Sequence, residues 1–106
     1  MTLKSKAMLV AVSLVAAAQV ASAADAADNW TKDCASCHGK DGAGTTIMGK
    51  KLGLADYRDA AVQAKFTDAQ ATDIITNGKE KMKPFKDKLT ADEIKALVAY
   101  VRTFKK

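Results

Sequence analysis

The stretch Cys34-Ala35-Ser36-Cys37-His38 constrains this chain more than any other part of it. It reads C-x-x-C-H, the attachment signature of a c-type haem. Two thiols at that spacing can each add across a vinyl group of the porphyrin and form a thioether. The adjacent imidazole is then held beneath the iron, where it can ligate. Three other readings compete. A redox dithiol of the thioredoxin type needs a βαβ setting, which the rest of the pattern lacks. A zinc site needs about four nitrogen or sulfur ligands, whereas Cys34, Cys37 and His38 are the only cysteines and histidine in the chain. A disulfide would leave His38 without a role. The expected cofactor is one covalently bound haem with its iron, attached at Cys34 and Cys37.

Residues 1–23 read as an address rather than as fold. Lys4 and Lys6 make a positive start, Ala7 to Val20 is nearly apolar, and Ala21-Ser22-Ala23 has the small-residue pattern of a cleavage site. The expectation is a secretory signal peptide cut after Ala23. The alternative is a retained anchor, but a spanning helix needs about 20 apolar residues, and Ser13 and Gln19 interrupt this run. Export suits the chemistry, because covalent haem attachment in bacteria takes place outside the cytoplasm. A soluble periplasmic protein, with no stable membrane insertion after cleavage, is expected.

The remaining 83 residues, 24–106, allow one domain. A core this small is marginal and usually needs a staple. With both cysteines committed, the haem itself must be its centre. Without Lys4 and Lys6 the balance is 15 basic against 12 acidic residues, a net of +3. The basic residues are not interleaved with exposed aromatics, so a nucleic-acid partner is not expected.

The patterning is helical throughout. Ala26 to Ser36 reads as a first helix, with Asp25 or Asp28 as cap and Trp30 one turn before Cys34, on the same face. Gly39, Gly42 and Gly44 break it, and Lys40-Asp41-Gly42 is a turn signal. Residues 45–66 follow no period well, although Tyr57-Arg58-Asp59 starts a short helical segment through Ala64. Thr67-Asp68-Ala69-Gln70 is a capping box that opens a helix to about Asn77, with Ala71, Ile74 and Ile75 inward and Gly78 as its stop. A loop from Lys79 to Leu89 holds Met82 and the single proline, Pro84. Thr90-Ala91-Asp92-Glu93 is a second capping box, and Ile94, Leu97, Val98, Val101 and Phe104 then form one apolar stripe. Nothing reads as a strand. The fold class is all-α, with three main helices and long loops wrapped around a prosthetic group.

These residues resemble the class I cytochromes c, the small soluble single-haem kind. The likeness rests on Cys34 to His38 near the start, on Asn77-Gly78, and on the loop with Met82 and Pro84. It extends to the last helix, Leu97-Val98-Ala99-Tyr100-Val101-Arg102, and to Met48-Gly49-Lys50-Lys51-Leu52-Gly53 followed by Asp56-Tyr57. The resemblance implies that the first and last helices cross through Trp30, Leu97 and Tyr100. It also implies a six-coordinate haem c with His38 and Met82 as the axial ligands of the iron. Met48 is read as core filler. Two departures stand out: the family usually reads Met-Pro, here Met82-Lys83-Pro84, and no proline lies between His38 and Met82. The acceptor expected for the second imidazole nitrogen is then a backbone carbonyl within 45–50. Tyr57 and Arg58 are candidates for a haem propionate, with a packed tyrosine and a solvated arginine as the equal alternative.

The expected function is a monomeric, non-enzymatic carrier of single electrons between redox proteins, as in a respiratory chain. The alternative is a haem sensor or small-ligand binder with a labile sixth ligand. Peroxidase-type catalysis ranks third, because His38 leaves no distal histidine for acid–base help. A place as a subunit of a larger complex is open. Residues 79–88 carry five lysines against Glu80 and Asp87, so a partner with an acidic docking surface is expected, with Lys40 beside the loop.

Overall fold

The computed structural model describes residues 23–106; apart from Ala23, the expected signal segment lies outside the described residues. Six helices follow in order: α1 (Ala23–Asp33), α2 (Ala35–His38), α3 (Ile47–Leu52), α4 (Ala60–Gln63), α5 (Asp68–Asn77) and α6 (Ala91–Arg102). The described residues contain no strand, only an isolated bridge between Lys79 and Met82. The all-α expectation therefore holds, with α1, α5 and α6 as the long members.

Both capping boxes are present. Thr67 accepts from the N–H of Gln70 and Thr90 from that of Glu93, and each Gln or Glu side chain returns a bond to the cap's own N–H. Glu93 also accepts from the Asn29 amide at 3.1 Å, which ties α6 to α1. The Thr90 backbone N–H, then Asn29, hold the Glu93 carboxyl below its ordinary value of 4.5. A depressed carboxylate contributes stability that is full above the unfolded value and fades as pH falls through the folded one. Glu93→Gln should therefore flatten the acid side of the stability profile, read as urea midpoints from neutrality downward.

α1 and α6 cross at the expected residues. Leu97 is 1% and Trp30 3% exposed. The Trp30 ring lies 6.1 Å from Tyr100 and 5.0 Å, edge-on, from Phe104. Its indole N–H donates to the carbonyl of Gly39 at 2.9 Å, so the same residue also anchors the chain leaving α2.

Three expectations are corrected. The first helix does not run unbroken from Ala26 to Ser36. It is already helical at Ala23, where the described residues start, and breaks at Cys34, whose φ of −119° departs from the helix, and α2 is a fresh turn tied back to Trp30 through Gly39. The segment expected from Tyr57 to Ala64 shrinks to α4, because Asp59 caps the N–H of Ala61 while Asp56 holds Arg58 in a turn. Met48 is not core filler: it is 44% exposed and Ile47 90%. The reason is Gly49. A β-carbon there would sit 2.5 Å from the Gly44 carbonyl oxygen and 2.6 Å from that of Cys37. α3 thus faces α2 with bare backbone and turns Ile47 and Met48 outward.

The buried polar knot between α4 and α6 was not legible beforehand. Gln63 is 5% exposed; its amide donates to the carbonyls of Tyr57 at 2.8 Å and Val101 at 2.9 Å. Arg102 donates to Gln63 and to the Phe66 carbonyl, pairs with Asp68 at 2.8 Å, and lies over the Phe66 ring. Removing one partner of such a set typically costs about 1–3 kcal/mol. That loss is the expected result for Arg102→Ala in urea denaturation.

Candidate functional site

α2 is a single turn, and its neighbours fix it. His38 N–H donates to the Cys34 carbonyl at 3.0 Å. The Thr46 hydroxyl donates to the Cys37 carbonyl at 2.6 Å while it caps the N–H of Gly49 at 2.8 Å. One side chain therefore locks α3 onto the C-x-x-C-H turn. Neither cysteine is in a disulfide; Cys34 is buried and Cys37 half-buried. Burial first, then the charges of Asp33 and Cys37, push the Cys34 thiol up to about 12 against the opposing pull of Lys88. Among the described residues no three His, Cys, Asp or Glu side chains gather as a metal cluster, which weighs against the zinc reading.

The His38 ring lies between aromatics. Trp30 is 5.6 Å away, tilted by 38°, and Tyr57 is stacked at 5.4 Å with 29° between the planes. Burial lowers the His38 pKa below 6.5, which favours the neutral, ligating imidazole. Its Nδ1 is buried and has no hydrogen-bond partner. The acceptor expected within 45–50 is therefore not found: the Thr46 carbonyl receives Lys50 and the Gly49 carbonyl receives Leu54, and α3 sends its carbonyls along its own axis.

A cleft of about 600 Å³ opens beside this turn, within the range of about 300–1,000 Å³ typical of cofactor sites. Cys34, Cys37 and His38 form one wall, Leu52 and Leu54 a second, Met82 and Phe85 a third. Behind it lies an apolar cavity of about 120 Å³, walled by Tyr57, Phe66, Ile74, Ile75, Leu97 and Val101. Ala71, Ile74 and Ile75, the expected inward face of α5, are half-buried because they border this space. The two spaces share Cys34, His38 and Met82. The four expected site residues are thus brought around one cleft.

Met82 is presented by a tight turn. Lys79 and Met82 exchange N–H and carbonyl bonds at 3.1 and 2.9 Å. Gly78 precedes them at φ 77°, and a β-carbon there would meet the Met82 carbonyl oxygen at 2.7 Å and the Pro84 nitrogen at 2.9 Å. Gly78→Ala should cost about 1–3 kcal/mol through strain and the forced shift, measurable as a lowered thermal midpoint.

Lys32, Lys51, Lys79, Lys81, Lys83 and Lys88 border the cleft. Lys88 is committed to Asp33 at 2.9 Å, with the Asp33 side chain only 3% exposed, which ties α1 to the loop before α6. Arg58 borders neither space; it grips Asp56 at 3.0 and 2.9 Å and lies 3.7 Å from Asp41. The packed reading of Tyr57 and the carboxylate-paired Arg58 describe both residues without a propionate.

The family described as cytochrome C oxidase, cbb3-type, subunit III matches residues 21–101. The chain belongs to the class I c-type cytochromes. Two solved structures are similar to this cytochrome. One, titled KustC0563 c-type cytochrome, is 43% identical over 76% of this chain and 98% of its own, with a TM-score of 0.72. The other is a tyrosine-to-phenylalanine mutant of the protein of that name, 40% identical over 76% of this chain and 99% of its own, with a TM-score of 0.69. No curated protein matches the cytochrome. As a c-type cytochrome it has a covalently bound haem c with its iron. The shared cleft, the two cysteines outside any disulfide and the half-buried imidazole, whose pKa burial lowers, fit such a group. No helix among the described residues is long and apolar enough to cross a membrane.

Proposed function

We propose that this cytochrome carries single electrons between proteins outside the cytoplasm, with the haem held by thioethers at Cys34 and Cys37 and the iron by His38 and Met82. The observation that carries the reading is the meeting of both cavities at Cys34, His38 and Met82. The bound haem supplies one-electron chemistry at its iron; a soft thioether sulfur favours the ferrous form and raises the potential. The chain's own part would be to hold the His38 imidazole and the Met82 thioether where the cleft meets the apolar inner cavity, and to leave the cleft's rim open to a partner. Electron transport is the general activity of the family. Periplasmic location, signal cleavage after Ala23 and a monomeric state belong to this proposal.

The matched family's description names an oxidase subunit. We read the protein as a free carrier, supported by a solved relative titled simply as a c-type cytochrome, 98% of whose length this chain covers. A sensor with a labile sixth ligand is the second reading. It would need a loosely held Met82 thioether; the backbone bonds between Lys79 and Met82 fix only the turn that carries that side chain.

The lysines at the cleft suit a partner with an acidic surface, because opposite charges raise the encounter rate and salt screens them. Replacing Lys81 and Lys83 by Glu is expected to slow electron transfer to a negatively charged redox protein by about tenfold at low salt, with little change in potential. Lys88, held by Asp33, should contribute less. Stopped-flow rates against ionic strength check this, and a rate indifferent to both salt and replacement removes the docking proposal.

A further inference from the structure

We infer that Tyr57 is a positioning residue for His38: it fixes the plane of the iron-binding imidazole by stacking, in place of a hydrogen bond. The inference rests on His38 being an axial ligand, as proposed above. Three observations lead to it. First, the His38 Nδ1 is buried without an acceptor, so nothing the chain offers there stops the ring from turning about its own axis. An iron-bound imidazole ordinarily relies on such an acceptor for its orientation. Second, the one ring stacked on His38 is that of Tyr57, at 5.4 Å and 29°. Stacking covers a face of the imidazole and leaves its in-plane nitrogen lone pair available.

Third, Tyr57 is held far more firmly than a loop residue usually is. Its N–H donates to the Gly42 carbonyl at 2.9 Å. Its carbonyl receives the buried Gln63 amide at 2.8 Å. Gln63 in turn is fastened to α6 through the Val101 carbonyl and Arg102. On the far side the Tyr57 ring meets Phe66 edge-on at 5.9 Å. A buried glutamine is costly unless its hydrogen bonds are met. Here they clamp the residue that lies on the imidazole, which gives the knot a purpose beyond joining α4 to α6.

The order and spread of the haem-methyl proton resonances in the ferric protein report the orientation of the axial imidazole plane. Tyr57→Phe keeps the ring and should keep that pattern. Tyr57→Leu removes it and should reorder the methyl resonances while the low-spin His/Met signature persists. Phe104→Leu, which takes a core ring that borders neither cavity, should destabilise the fold without moving the pattern. Should Tyr57→Leu fail to fold, Gln63→Met decides by the same readout, since it frees the clamp and leaves the ring. An unchanged methyl pattern in the deciding variant overturns the inference. A wild-type ferric protein without a His/Met signature removes the ligand assignment and the inference with it. A normal wild type beside an unchanged variant removes the inference alone.

Discussion

Trp30→Ala is expected to bring the cytochrome close to unfolding. Truncating a buried tryptophan costs about 3–5 kcal/mol, and this one is 3% exposed at the crossing of α1 and α6. The change also leaves the Gly39 carbonyl without the indole N–H that it accepts at 2.9 Å. An orphaned buried acceptor adds about 1–3 kcal/mol. Domains have about 5–15 kcal/mol in all, and a single small domain belongs at the low end. Trp30 also flanks His38, so loss of the fold and loss of the seating of His38, the proposed iron ligand, should coincide. Urea unfolding followed by far-ultraviolet circular dichroism and by haem absorbance should give one shared, strongly lowered midpoint. Ile47→Ala is the control: at 90% exposure it should stay within about 0.5 kcal/mol of wild type.

Met82→Ala should change the iron rather than the fold. Met82 is half-buried, and its backbone bonds to Lys79 do not depend on its side chain. On the proposed ligation, loss of the thioether opens the sixth position. Ferric iron should then accept added imidazole or cyanide, and the reduction potential should fall by about 100–300 mV, part of the about 0.8 V that axial ligands span. Met48→Leu should do neither, because Met48 points away on the outer side of α3. A potential that responds to Met48 and ignores Met82 would move the sixth ligand to α3.

The signals legible in the sequence were those that local chemistry writes in fixed spacing. Cys34 to His38, the capping boxes at Thr67 and Thr90, the Gly78 stop and the stripe of α6 each state their structure within a few residues. Residues 45–66 did not, because α3 and α4 are too short to show a period and are set by single side chains reaching across the fold. Thr46 grips Cys37, nine residues away, and Gln63 reaches Val101 and Arg102. Thr46, three residues before Gly49, and the Gly53 stop were the available hints of α3. Met48 was misjudged because its side is decided by the bare backbone at Gly49, a tertiary approach that no periodicity encodes. The missing acceptor for His38 was half visible, as an absent proline. Its proposed substitute, Tyr57, was read as a propionate candidate or as a packed tyrosine but not as a partner of His38, since stacking between positions 38 and 57 is a property of the folded chain.

The measurement that bears most directly on the account is a redox-titrated visible and near-infrared spectrum of the haem-loaded protein. The account predicts low-spin, six-coordinate iron in both oxidation states, a single reversible one-electron step, and, in the ferric form, the weak near-infrared band of an iron–thioether bond. High-spin ferric iron that lacks that band and takes up added ligands would contradict it.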